Sequence, residues 1–270
     1  MSDHYAVVGN PIAHSKSPQI HTRFAAEVGA DLHYHRLWAP EDHFAPVAEA
    51  FFAGGGHGLN VTVPFKGAAY TFADTLSDRA RAAGAVNTLR AEPDGRHFGD
   101  NTDGIGLLRD LQTNHGIDLA GRRLLLLGAG GAARGVLHDL LGEDPRTVVI
   151  ANRTVDRAEA LAGNDHRIRA CGFDVLAGER FEVVINTTAA GLQGEMPPLP
   201  DDLLAPGATA YDLVYADEDT PFMAWARARG AVTVCDGLGM LVEQAAESFY
   251  QWRGTYPQTA PVIEALRIGA

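Results

Sequence analysis

Short apolar runs alternate along the chain with longer stretches in which apolar residues recur at helical spacing. The runs at 5–8, 32–37 and 59–63 read as buried strands, the first closed by Gly9-Asn10-Pro11 and the third by Pro64. Ser17-Pro18 opens a helix, because Ser caps and Pro suits the first turn. Residues 43–52 form the next helix, broken by Gly54-Gly55-Gly56. Two short helices are expected over 65–72 and 77–83. Residues 86–91 and 96–99 flank Pro93-Asp94-Gly95, a hairpin signal. Over 103–115, Ile105, Leu107, Leu108 and Leu111 share one helical face.

A second series follows. Residues 123–127 are a leucine run bounded by charge and glycine, suited to a central parallel strand. Further strands are expected at 148–151, 183–186, 210–214 and 232–235. Helices over 131–141, 155–162 and 221–229 lie between them, and two more, 238–253 and 261–268, form the tail. Repeated strand–helix units predict an α/β chain with a doubly wound parallel sheet. A domain boundary is expected near Gly104, and no repeat of fixed period is visible.

Composition narrows the class. With 270 residues, 46% hydrophobic and 21% charged, the chain is an ordinary globular one and not a disordered, collagenous or coiled-coil chain. The formal charge is 22 − 34 = −12. Such a surface repels nucleic-acid phosphates and anionic lipid, so neither is an expected partner. A small basic pocket for an anionic metabolite remains compatible with it. Cys171 and Cys235 are the only cysteines and form no C-x-x-C motif. No basic leader and no apolar run of ~20 residues are visible. These features predict a soluble cytoplasmic protein. Scattered histidines give no metal-ligand spacing.

Two regions carry candidate chemistry. Leu124 to Leu127, Gly128-Ala129-Gly130-Gly131 and Ala132-Ala133 form a strand, a glycine turn and a helix start, matching G-x-G-x-x-G/A in its required context. Gly128 permits the tight turn, Gly130 lets a pyrophosphate approach the backbone, and Ala132 and Ala133 let the helix pack close. The helix N-terminus offers free N–H groups to phosphate. The next strand ends in Asn152-Arg153-Thr154, with Arg157 one turn on, where an NAD site usually carries Asp or Glu. A guanidinium binds a 2′-phosphate that a carboxylate would repel, so the cofactor read here is NADP. In the first region Ser15 and Ser17 flank Lys16, and Asn60 and Thr62 are expected on one strand face. Lys66 follows the strand, Asn87-Thr88 starts another, and Asp100-Asn101-Thr102-Asp103 precedes a helix. Taken singly, Ser17 reads as a cap, Asp103 as an N-cap, the commoner fate of Asp before a helix, and Lys66 as a surface charge.

Together the motifs resemble the shikimate dehydrogenase family. They are Gly9-Asn10-Pro11-Ile12-Ala13-His14-Ser15-Lys16-Ser17-Pro18, Asn60-Val61-Thr62-Val63-Pro64-Phe65-Lys66, Gly84-Ala85-Val86-Asn87-Thr88, Gly99-Asp100-Asn101-Thr102-Asp103-Gly104, Gly128-Ala129-Gly130-Gly131-Ala132, Asn152-Arg153-Thr154, Tyr211-Asp212-Leu213-Val214-Tyr215, and Asp236-Gly237-Leu238-Gly239-Met240-Leu241 with Gln244. They occur in family order over nearly the whole chain.

The resemblance implies a substrate domain of residues 1–104 plus 238–270 and a Rossmann-type NADP-binding domain of residues 105–237, with a cleft between them. It implies reversible reduction of 3-dehydroshikimate to shikimate with NADPH, on the route to chorismate and aromatic amino acids. Lys66 and Asp103 would be the acid/base pair. Ser15, Ser17, Asn60, Thr62, Lys66, Asn87, Asp103, Tyr215 and Gln244 would hold the substrate. Asp78, Gly128, Ala129, Gly130, Gly131, Ala132, Asn152, Arg153, Thr154, Arg157, Leu213 and Gly237 would hold NADP, and no metal is implied. A monomer or homodimer is expected. The alternatives are a quinate/shikimate enzyme with relaxed substrate or NAD use, and a non-catalytic NADP-binding protein on the same scaffold. One local departure is the acidic Asp217-Glu218-Asp219 after Tyr215, where relatives often have Pro at position 217.

Overall fold

The computed structural model describes residues 2–269. They divide into two compact units, one running through Gly106 and resuming at Leu241, the other Leu107–Met240. Among the described residues, no helix is long and apolar enough to cross a membrane.

The first unit holds β1 (Asp3–Gly9), α1 (Ser17–Val28), β2 (Leu32–Trp38), α2 (Phe44–Ala53), β3 (Gly56–Val61), α3 (Lys66–Phe72), β4 (Thr75–Leu76), α4 (Asp78–Ala83), β5 (Thr88–Ala91) and β6 (His97–Asp100). Its sheet runs β2-β1-β3-β5-β6-β4. β1 pairs parallel with β2 and β3, whereas the hairpin strands pair antiparallel as β3/β5 and β5/β6. Val8, Leu59, Val61, Phe65 and Leu89 centre its core.

The helix α5 (Asp103–Arg109) leads into a wider π-helical turn, Asp110–Asn114, where a single helix was expected over 103–115. The turn coincides with the burial of Asp110, whose carboxylate accepts from Tyr211 Oη (2.5 Å) and Asn114 Nδ2 (2.8 Å). The second unit then runs β7 (Arg123–Leu127), α6 (Gly131–Gly142), β8 (Thr147–Ala151), α7 (Val155–Ala162), β9 (Ile168–Cys171), β10 (Phe181–Asn186), β11 (Leu204–Asp212), α8 (Pro221–Ala228) and β12 (Thr233–Cys235). The tail is α9 (Leu238–Arg253) and α10 (Ala260–Arg267).

Every pairing in the second sheet is parallel, in the order β12-β11-β10-β7-β8-β9. Numbered within this unit, that is 3-2-1-4-5-6 read from the β9 edge, the doubly wound order with its switch point between β7 and β10. The leucine run follows from this position. Leu124 and Leu126 enter the core on one face, and Leu125 and Leu127 the core on the other. A strand covered by helices on both sides needs apolar residues at every position.

Two expectations change at this level. Ser17 does not cap α1: it is the first helical residue, Lys16 stands at the cap without a side-chain bond, and the Ser17 N–H donates to Ser15 Oγ (3.3 Å). β3 ends at Val61, so Thr62 lies just past the strand and not on its face beside Asn60. Its N–H still bonds the Val8 carbonyl (3.0 Å), and its own carbonyl accepts from the Phe65 N–H (3.0 Å), which turns the chain into α3.

Candidate active site

The polar clusters of the first unit gather at one end of its sheet. Asn60 lies near the end of β3 and pairs with Thr88 at the start of antiparallel β5, which pairs in turn with Asp100 at the end of β6. Lys66 then begins α3 and Asp103 begins α5. Lys66 Nζ and Asp103 Oδ2 are 2.5 Å apart. The other oxygen, Asp103 Oδ1, accepts from Asn87 Nδ2 (2.8 Å). Asn87 Oδ1 accepts from Thr102 N (2.9 Å) and from the Thr88 hydroxyl (2.9 Å). The Asp103 N–H donates to Asn101 Oδ1 (3.2 Å), so the carboxylate is left to face Lys66 and Asn87.

From this pair the network extends. Thr102 Oγ1 donates to Gln244 Oε1 (3.3 Å), and Gln244 Nε2 bonds the Leu241 carbonyl (2.8 Å). Asn60 Nδ2 donates to Ser248 Oγ (3.0 Å), and Ser248 lies 2.7 Å from the Thr88 hydroxyl. Ser15 Oγ donates to Ser17 Oγ (3.1 Å), and Arg36 anchors this corner by two bonds to the Ser15 carbonyl (2.6 and 3.1 Å). Ser15, Ser17, Asn60, Thr62, Lys66, Asn87, Asp103 and Gln244 therefore all belong to the first unit. An ammonium beside a carboxylate, with hydroxyl and amide groups around them, can protonate an oxygen that gains negative charge and can bind a polyhydroxylated ring.

Thr88 and Ser248 are central to this network, yet the sequence reading gave neither a role. The available signal was weak. Ser248 sits on the buried face of α9 at helical spacing from Leu241, Gln244 and Ala245.

The second unit supplies a different surface. Gly128, directly after β7, has φ +100°, and a Cβ there would stand 2.9 Å from Thr187 Oγ1 and 3.0 Å from Thr188 Cγ2. A Cβ on Gly130 or Gly131 would meet nothing within 4 Å. Ala133 is the alanine that packs against the sheet, whereas Ala132 is exposed. Just past β8, Asn152 Nδ2 donates to the Thr154 carbonyl (2.7 Å) and shapes the turn. Arg153 and Arg157 are exposed and make no ion pair among the described residues.

At the end of β11, buried Asp212 accepts from Thr220 Oγ1 (2.6 Å), Val214 N (3.1 Å) and Asn186 Nδ2 (3.1 Å), closing the loop that carries Leu213 and Tyr215. Burial pushes the Asp212 carboxyl up, against these donors. Burial likewise raises the Tyr215 phenol. A Cβ on Gly237 would collide with the Leu213 carbonyl, which explains a glycine there. Tyr215 thus lies in the second unit, apart in the chain from the other substrate candidates. Asp78 lies in the first unit, 93% exposed at the start of α4, paired at 3.6 Å with Arg81. Among the described residues no group of His, Cys, Asp or Glu is arranged to hold a metal ion.

Known proteins resemble the chain throughout. The model of the shikimate dehydrogenase substrate binding domain matches residues 7–89, that of shikimate / quinate 5-dehydrogenase residues 110–193, and that of the shikimate 5'-dehydrogenase C-terminal domain residues 237–267. A shikimate dehydrogenase (NADP(+)) of Alkalilimnicola ehrlichii is 62% identical over 99% of both chains. The crystal structure of an Ael1 enzyme from Pseudomonas putida is 46% identical, covers 98% of each chain and superposes with a TM-score of 0.94. The shikimate 5-dehydrogenase of Thermus thermophilus, solved in complex with NADP(H) and shikimate, is 35% identical over 99% of this chain and 100% of its own, with a TM-score of 0.89. With this identity along its full length, the chain belongs to the shikimate dehydrogenase family.

Proposed function

We propose that the chain interconverts 3-dehydroshikimate and shikimate with NADP as hydride carrier, and that Lys66 and Asp103 perform the proton transfer. The observation that carries this reading is the 2.5 Å Lys66–Asp103 pair at the centre of a hydroxyl and amide network, in a chain of this family. NADPH, when bound, supplies the hydride that reduces the substrate carbonyl. The oxygen of that carbonyl gains negative charge and needs a proton. The Lys66 ammonium donates it, and in the oxidation direction the neutral amine takes it back. Asp103 holds Lys66 through Oδ2, while its own orientation is set by Asn87 on Oδ1. Ser15, Ser17, Asn60, Thr62, Asn87, Gln244 and Tyr215 hold the carboxylate and ring hydroxyls.

The residues present fit NADP. The turn at Gly128–Gly131 leaves open backbone at the start of α6, where phosphate is favoured. Arg153 and Arg157 are exposed guanidinium groups just past β8, without an ion pair among the described residues and suited to a 2′-phosphate. Asn152 and Thr154 shape that turn, and Ala129, Ala132, Leu213, Gly237 and Asp78 complete the proposed cofactor contacts. Two buried free cysteines accord with a reducing cytoplasm, where we place a monomer or homodimer. Initial rates with shikimate and quinate, each with NADP and NAD, test the assignment. Shikimate with NADP should give the highest kcat/KM of the four. Preference for quinate or NAD would replace it with the relaxed enzyme.

A further inference from the structure

The Asn60 amide has protein partners at both ends. Its Nδ2 faces Ser248 Oγ at 3.0 Å, Thr88 Oγ1 at 3.3 Å and the Asn87 carbonyl at 3.4 Å. Its Oδ1 accepts from Tyr34 Oη at 2.6 Å, the shortest of the four contacts. The hydroxyls of Thr88 and Ser248 both donate and accept, so they do not decide which end of the amide they face. The Asn87 carbonyl can only accept, so it assigns Nδ2 to that side, and Oδ1 is left to accept from the phenol.

Tyr34 is itself held firmly. It stands on β2 between exposed His33 and His35, yet it is buried. The His21 ring lies flat against it, 4.4 Å between centroids and 6° between planes. Phe24, Trp252 and Phe249 surround His21 in turn, at 5.9, 5.2 and 6.2 Å. Burial lowers the His21 pKa to about 3 against an opposing pull from Asn60, so the ring is neutral. Neither of its nitrogens has a partner at hydrogen-bonding geometry. His21 therefore acts as a flat plate for the phenol and not as an acid or base. The Ser17 hydroxyl opposes the rise that burial imposes on the phenol.

We propose that Tyr34, supported by His21, is a positioning residue of the substrate pocket: its hydroxyl anchors the Oδ1 end of the Asn60 amide. The inference rests on the shikimate reading and adds a residue that the family motifs above leave out. It explains why β2, at the edge of the sheet, carries a buried tyrosine pointing at the site end of β3.

The test is a double-mutant cycle on wild type, Tyr34→Phe, Asn60→Ala and the pair, with thermal midpoints recorded for each. Tyr34→Phe should raise KM for shikimate about tenfold, the effect of one lost hydrogen bond, with kcat within about threefold and KM for NADP unchanged. Because Tyr34 acts through Asn60, the double variant should be no worse than Asn60→Ala alone. An unchanged shikimate KM, or losses that multiply in the double variant, would overturn the proposal. If Tyr34→Phe fails to fold, His21→Ala replaces it. His21→Ala should raise the same KM and His21→Phe should restore it; a wild-type KM in His21→Ala would also sink the idea. A wild-type enzyme with no shikimate activity would overturn the underlying reading instead, so the two failures are distinguishable.

Discussion

Lys66 and Asp103 form an ion pair that is neither fully exposed nor sealed, with side chains 29% and 13% accessible. That exposure suits a pair that must meet a substrate oxygen. Arg153 and Arg157 present the reverse case. They are cations with no carboxylate to answer them among the described residues. If they bind the 2′-phosphate, Arg153→Ala removes a charge-assisted bond worth about 1.5–3 kcal/mol. KM for NADP should then rise about 10–100-fold while KM for NAD stays level. Equal effects on both cofactors in steady-state kinetics would remove the 2′-phosphate from the account.

At the scale of elements, the turn after β7 is the sharpest local constraint. Gly128 combines φ +100° with Thr187 at 2.9 Å from any added Cβ. Gly128→Ala should destabilise this turn by about 1–3 kcal/mol, lower the thermal midpoint and raise KM for NADP. KM for shikimate at saturating NADP should hold, since the substrate candidates other than Tyr215 lie in the other unit. A melt and cofactor titration that match wild type would contradict this.

This turn was legible in the sequence because glycine spacing, leucine run and helix start all fall within one short stretch. The Rossmann half was readable for that reason, and α7 and α9 fall on 155–162 and 238–253 as expected. Other elements were not. β4 is two residues long and β9 alternates Ile168, Arg169, Ala170 and Cys171 at a sheet edge, so neither carries a strong apolar signal. Thr62 fell off the strand because the turn into α3 already begins there, its carbonyl accepting from the Phe65 N–H (3.0 Å), two residues before the apolar pattern ends. Lys66, Asp103 and Asn87 stood out as polar residues at element ends, but their roles came only through the family motifs. Their convergence depends on the β3/β5/β6 register, which no local pattern encodes. Tyr34 and Ser248 were missed because one hides among histidines and the other on an apolar helix face.

For the molecule as a whole, buried titratable groups set the acid limit of stability. His21 has a pKa of about 3 when folded and 6.5 when free. The unfolded chain therefore binds the extra proton, and the stability from keeping His21 neutral is present above pH 6.5 and lost as pH falls toward 3. Asp100 acts in the same sense at lower pH. Burial pushes it up, but the Arg79 guanidinium with Ser77 and Gln251 holds it below its usual range. Its contribution fades as that carboxylate is protonated. Asp212, raised by burial, works in the opposite sense. Urea melts should show stability falling below pH 6.5, and His21→Phe should flatten that fall between pH 6 and 4 by about 1.4 kcal/mol per pH unit. An unchanged slope in the variant would place the titration elsewhere.

The central proposal is that hydride passes directly between shikimate and NADP while Lys66, held by Asp103, moves the accompanying proton. The most direct measurement is the initial rate of NADP reduction by shikimate, for wild type and Lys66→Ala, with folding checked by circular dichroism. The account predicts robust wild-type turnover and a kcat lower by about 10²–10⁴ in a folded variant. A folded Lys66→Ala enzyme with near-wild-type kcat would contradict it.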